Sequence, residues 1–310
     1  MTRNVILVVV SLFAVACGSI NNKVVVRDRG ATVIDRAELL TRYPELELMN
    51  DAAILSAAAY DKPEANPTTK LADYCAATTT DVSFDPKKEL GWSEIKDLPQ
   101  PPAPPPGERN IRDLHYRVWV KTLGDGRKIA MLAFRGTQSR ADWYSNLRWV
   151  TRVIPNVRDH YEQLNEIVDD LIETIKQHEG PNTTIIATGH SLGGGLAQLA
   201  GYASNQNIRT VYAFDPTVVT YFYSIDKTLR EHSREGENIF RVFEQGEALS
   251  YVRWIAKRFY PVWHKDPRIV QVKFHLLSGG LVRNHSIRRF ACASMSIPMP
   301  APAKTAEVSR

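Results

Sequence analysis

The sequence predicts an α/β fold, a mostly parallel central sheet with helices on both faces, and three features carry that prediction. Residues 160–178 place Tyr161, Leu164, Ile167, Val168, Leu171, Ile172 and Ile175 at spacings of three and four, the period of an amphipathic helix lying on a sheet. The β-branched run 183–188 follows, and a stretch dense in small residues continues as a helix through Ala203. Strand candidates at 210–214 and 239–243 extend the alternation of strand and helix, which builds parallel sheets.

At 310 residues the chain is long for one domain, yet a single α/β unit with short tails accommodates it. The net charge of +5 and pI near 9.0 are moderately basic, and no Lys/Arg stripe interleaved with aromatics is present. Nucleic acid is therefore not an expected partner, whereas a weak attraction to anionic lipid surfaces fits the charge.

Arg3 precedes an apolar run over residues 5–15 that is too short to span a bilayer, and Ala16-Cys17-Gly18 follows. Residues 1–16 thus read as an export signal peptide. Ala14-Val15-Ala16-Cys17 resembles the bacterial lipobox, with Ala14 where Leu is usual; the resemblance implies lipidation of Cys17 and anchorage in the cell envelope, at the outer membrane. An ordinary signal peptide with an incidental cysteine is the plainer alternative. Several acyl chains would make the anchor stable, since one alone holds only marginally.

Residues 17–35, polar and β-branched, are expected to be a tether for a catalytic domain spanning 36–297. Residues 51–60 are rich in helix formers. Six prolines within 99–106 forbid helix or sheet and predict a surface loop; a proline-recognition partner is the alternative. Leu114, Tyr116, Val118 and Val120 alternate with more polar residues, and Gly124-Asp125-Gly126 turns the chain into the apolar run 129–134, a hairpin entering the sheet. The Pro- and Ala-rich tail 298–310 is expected to be disordered. Cys75 and Cys292 could pair in an exported protein, but sequence alone does not place their Cα atoms within bridging range.

The chemistry centres on Gly189-His190-Ser191-Leu192-Gly193, a GxSxG motif between a β-branched strand and a helix rich in Gly193, Gly194, Gly195, Ala197, Ala200 and Gly201. A nucleophilic serine on such a turn needs glycine on either side, where larger side chains would meet neighbouring strands. The helix N-terminus also directs positive potential at the reaction centre. A structural Gly-rich turn is the alternative.

Residues 188–200 (TGHSLGGGLAQLA), with Phe134-Arg135-Gly136-Thr137 upstream, resemble the class 3 lipases over roughly residues 51–290. The resemblance implies the α/β-hydrolase fold and a serine esterase acting on lipid or other carboxylic esters. It implies oxyanion donors at Thr137 and at the Leu192 backbone N–H, where preorganised donors stabilise the tetrahedral intermediate by roughly 3 to 4 kcal/mol each. Residues 139–147 (SRADWYSNL) resemble that family's lid, with Trp143, Tyr144 and Leu147 as its apolar face; a core-packed aromatic helix is the alternative. This chemistry calls for no cofactor and no metal.

A hydroxyl nucleophile requires a base, and the base requires an acceptor that fixes its tautomer. Of eight histidines, His232, His264, His275 and His285 lie downstream of Ser191, where the order serine, acid, histidine expects the base. His285, in Arg283-Asn284-His285-Ser286, resembles the family's C-terminal histidine segment and is the expected base. His275 falls in an apolar strand pattern and reads as structural, and His190 is expected to pack beneath the nucleophile, away from its chemistry. For the acid, residues 241–251 (RVFEQGEALSY) align with the family's strand and turn and place Glu247 where an Asp is usual. Asp215, in Phe214-Asp215-Pro216, is the competing acid.

Triacylglycerol lipase, phospholipase A1, simple carboxylesterase and acyltransferase all fit this set. A non-catalytic surface lipoprotein using the hydrolase fold for binding, and an envelope tether built on the proline run, are the rival classes. Nothing in the sequence addresses oligomeric state.

Overall fold

The computed structural model describes residues 22–28, 30–61, 69–77, 82–110, 112–136, 157–233, 236–247, 249–250 and 267–295. The signal peptide, Cys17 and the 298–310 tail lie outside them. Among the described residues, nine strands share one sheet: β1 Lys23–Arg27, β2 Ala31–Asp35, β3 Ser93–Ile95, β4 Tyr116–Thr122, β5 Lys128–Phe134, β6 Thr184–His190, β7 Ile208–Phe214, β8 Asn238–Glu244 and β9 Arg268–Phe274. Their order is β2-β1-β9-β8-β7-β6-β5-β4-β3. Strands β5 to β9 are mutually parallel. The ends of the sheet are antiparallel, β3-β4-β5 on one side and β2-β1-β9 on the other. This is the α/β-hydrolase arrangement, with the hairpin of β4 and β5 closed where Gly126 adopts φ +83°.

Alternation along the strands divides the core between two faces. In β5, Met131 and Ala133 pack with α1 (Met49–Ala58) on one face, while Ala130, Leu132 and Phe134 pack with α3 (His160–Glu179) and α4 (Leu192–Ala203) on the other. Helix α1 is buried on nearly every side because it lies between the sheet and α6 (Ile287–Met295). Helix α3, by contrast, has one apolar face, and a capping box at Asp159 and Glu162 satisfies its first N–H groups. The proline run 99–106 has no regular structure; Pro102 O accepts from Arg158 Nη1 at 3.1 Å, which docks the loop on the domain.

The expected tether is corrected by the structure. Residues 23–27 and 31–35 are β1 and β2, paired antiparallel to each other and through β1 to β9. Valines 24 and 26 are fully buried, the intervening Val25 is half-buried and Lys23 and Arg27 at the ends are exposed; Ile34 joins the buried pair. That period of two buries one face of each strand and covers the edge that β9 would otherwise expose.

Helix α2 (Leu71–Ala76) is joined to α6 by the Cys75–Cys292 disulfide, with Cα atoms 5.5 Å apart and a sequence separation of 217. Closing so long a loop restricts the unfolded chain strongly. Replacing both cysteines with serine should cost about 2–5 kcal/mol, read from urea unfolding. Reductant should lower the wild-type midpoint and leave the double variant unmoved; equal midpoints for all three would contradict a stabilising bridge.

Candidate active site

Ser191 stands between β6 and α4 with φ +58° and ψ −120°, a conformation that costs a non-glycine residue about 1–3 kcal/mol. Surrounding hydrogen bonds hold it there. Its N–H donates to Phe214 O at 3.0 Å, and its carbonyl accepts from Thr217 N at 3.2 Å and Gly194 N at 3.1 Å. The flanking glycines are dictated by close approach: a Cβ on Gly189 would lie 2.3 Å from Gly193 O, and one on Gly193 would lie 2.2 Å from Phe134 O. Leu192 opens α4, so its N–H belongs to the first turn, which has no intrahelical acceptor. Ser191 itself is almost fully buried.

His285 follows the short helix α5 (Leu281–Asn284), which Asn284 ties to the turn after β8 through Nδ2 to Gln245 O at 3.3 Å. The His285 Nδ1 atom lies 2.9 Å from Glu247 Oε2. Glu247 is completely buried, and its Oε2 also accepts from Leu249 N at 2.7 Å while Oε1 accepts from the Ser250 hydroxyl at 2.9 Å. A carboxylate on Nδ1 leaves Nε2 as the ring nitrogen able to act as a base. Asp215 is anchored differently. It sits beyond the end of β7 with φ +39°, its N–H donating to Val242 O at 2.8 Å and its Oδ1 accepting from Glu244 N at 3.1 Å. Glu247 is in direct contact with the His285 ring.

Asp215 is nevertheless close by. One of its carboxylate oxygens and one ring nitrogen each from His190 and His285 lie within 4.8 Å of one another. This corrects the expectation for His190: its ring tilts against that of His285, centroids 4.6 Å apart, and so belongs to the centre. As the last residue of β6 it faces opposite to Gly189, and that face is where the loop carrying His285 returns.

Two further residues shape the site without having been legible in the sequence. Tyr60, just after α1, accepts from Gly136 N at 3.1 Å, donates to His190 O at 3.3 Å and lies 3.1 Å from His190 Nδ1. It thereby ties the loop after β5 to the residue preceding Ser191. Burial pushes its hydroxyl well above the usual range, so it stays protonated. Glu244, closing β8, accepts from Leu276 N at 3.0 Å and Leu277 N at 3.1 Å, fixing how the chain leaves β9 towards His285; burial raises its carboxyl to about 7. The only signal for either was position, a tyrosine ending a helix and an acid ending an apolar strand.

Among the other histidines, His275 is buried at the exit of β9, as expected of a structural residue, and His232 is exposed with Nδ1 2.8 Å from Asn205 Oδ1. Thr137, the lid residues Trp143, Tyr144 and Leu147, and His264 lie outside the described residues.

A profile of the phospholipase-like family, described as the Tle-like phospholipase domain, matches residues 51–214, more than half of the chain. The LIH1 protein of Saccharomyces cerevisiae, designated a candidate lipase, is 30% identical over 121 residues, 31% of this chain and 35% of that one. The lipase of Rhizomucor miehei is 34% identical over 86 residues, 24% of this chain and 23% of the relative. The chain therefore spans about a third or less of the length of these curated relatives. Among solved structures, the LIP2 lipase of Yarrowia lipolytica aligns with a TM-score of 0.40 and 17% identity over 74% of this chain and 76% of that one.

If Tyr60 holds the Gly136 loop in register with the elbow, Tyr60→Phe should lower kcat about tenfold, the effect of one hydrogen bond, with KM little changed. Steady-state kinetics on a soluble ester checks this. An unchanged kcat, or a loss confined to KM, would contradict the positioning role.

Proposed function

The chain belongs to the phospholipase-like family of Tle-like phospholipase domains, and on that footing we propose that it is a serine esterase that hydrolyses lipid carboxylic esters through an acyl-enzyme on Ser191. The observation that carries this reading is the 2.9 Å contact between His285 Nδ1 and the buried Glu247 carboxylate, in a chain whose candidate serine stands on a strained strand-to-helix turn.

In this reading Ser191 Oγ adds to the ester carbonyl while His285 Nε2 takes its proton. Glu247 keeps the imidazole in the required tautomer and stabilises the imidazolium that forms. Negative charge collects on the former carbonyl oxygen and is met by the Leu192 N–H and by Thr137, roughly 3 to 4 kcal/mol for each donor. Collapse breaks the bond to the alcohol, which leaves with the proton from His285, and acyl-Ser191 remains. Water, deprotonated by His285, then repeats the sequence and releases the acid. The overlap with lipases and the phospholipase-like profile support a lipid substrate; the headgroup and chain length are to be found by assay.

Hydrolysis of a panel of triacylglycerols, glycerophospholipids and short-chain esters tests the reading. Activity should disappear in Ser191→Ala. Glu247→Gln should lower kcat by roughly three to four orders of magnitude, the scale of loss when the acid orienting the base becomes an amide, and Asp215→Asn should cost much less. Full activity in Ser191→Ala would refute the nucleophile, and the opposite ranking of the two acid variants would move the acid to Asp215.

The proposed location is the cell envelope, with Cys17 as the acylated first residue of the exported chain and the site facing lipid. Radiolabelled palmitate should enter the wild type and not Cys17→Ser; equal labelling of both would refute the anchor.

A further inference from the structure

We propose that the catalytic centre is also a transition-metal site, in which His190, Asp215 and His285 bind a divalent cation of the zinc class and thereby silence the serine. The inhibitory part of this inference rests on the esterase reading; the binding part does not.

The three residues come from neighbouring places at one end of the sheet: His190 from the end of β6, Asp215 from just beyond β7, and His285 from the loop after α5. One ligating atom from each lies within 4.8 Å of the others. A tetrahedral cation holds nitrogen and carboxylate ligands at about 2.0–2.2 Å, hence roughly 3.5 Å apart, so closure requires movements of about an ångström. Two imidazoles and a carboxylate form a donor set suited to zinc, nickel, copper or iron rather than to calcium or magnesium.

The surroundings are those of a supported metal site. Histidines that bind metals characteristically engage their second ring nitrogen with a carboxylate or another polar group, which orients the ring. Here His285 Nδ1 is held by Glu247 Oε2 at 2.9 Å, and His190 Nδ1 lies 3.1 Å from the Tyr60 hydroxyl, which leaves Nε2 of each ring as the nitrogen to be offered to a cation. Asp215 Oδ1 is fixed by Glu244 N at 3.1 Å. A cation on His285 Nε2 occupies the lone pair that must accept the Ser191 proton, so binding and catalysis are mutually exclusive.

Cobalt(II), a spectroscopic stand-in for zinc, tests the site on the metal-free full chain. One equivalent should produce a visible ligand-field band that zinc then displaces, and zinc should suppress ester hydrolysis with the same midpoint. Asp215→Asn should lose the band. Tyr60→Phe should bind cobalt about tenfold more weakly, as expected for a lost orienting partner. His232→Asn, at an exposed histidine elsewhere, should bind as wild type does. Circular dichroism and thermal unfolding confirm that each variant is folded. Absence of a band in wild type at one equivalent, or an equal band in Asp215→Asn, would overturn the proposal. Should metal-free wild type fail to hydrolyse any ester, the esterase reading falls, while the cobalt band still decides the metal site.

Discussion

Everything in this site depends on one backbone conformation, the positive φ of Ser191 at the junction of β6 and α4. A serine in that region is unfavourable by itself and persists only where its neighbours leave no alternative. The neighbours here are the carbonyl of Phe214 and the N–H of Thr217, one from the adjacent strand and one from the loop beyond it. Both exist because β7 lies parallel to β6 and in register with it. The mixed sheet, its two hydrophobic layers and the Gly-rich start of α4 thus act together to lift one hydroxyl off the end of a strand. The close contact of Gly193 with Phe134 O brings β5, and with it the Gly136 loop, to the same point.

Around that point three buried acids have distinct tasks set by their hydrogen bonds. Glu244 receives the Leu276 and Leu277 N–H groups and shapes the return of the chain; Glu247 receives Leu249 N, Ser250 Oγ and the His285 ring; Asp215 receives Glu244 N. Burying a carboxylate is costly unless donors surround it, and each of these is held by specific donors. Their clustering at the ends of β7 and β8 places His285 beside buried charge, where small displacements of charge have large effects.

Much of the architecture was legible because period and motif are local signals. Helix α3 announced itself by its three-and-four spacing, the hairpin of β4 and β5 by alternation around a glycine turn, and the elbow by glycines that sterics require. Chain order and family resemblance nominate Glu247 and His285, and the structure brings their side chains to 2.9 Å of each other. The edge strands β1 and β2 read as tether because the stretch is polar at its ends and carries no clear turn punctuation, although the β-branched Val24-Val25-Val26 run suits a strand. The direction of His190, the bridging hydroxyl of Tyr60 and the nearness of Asp215 to both histidines arise from residues far apart in sequence that meet only when the sheet is assembled. The pairing of Cys75 with Cys292 is of the same kind, since the two stand 217 positions apart.

The most direct measurement is the rate at which a fluorophosphonate, which phosphonylates only an activated serine, labels the folded protein, with the adduct mapped by peptide mass spectrometry. The account predicts a single adduct on the peptide containing Ser191, none in Ser191→Ala or after denaturation, and labelling greatly slowed in Glu247→Gln. Labelling of another residue, or equal labelling of wild type and Ser191→Ala, would contradict it.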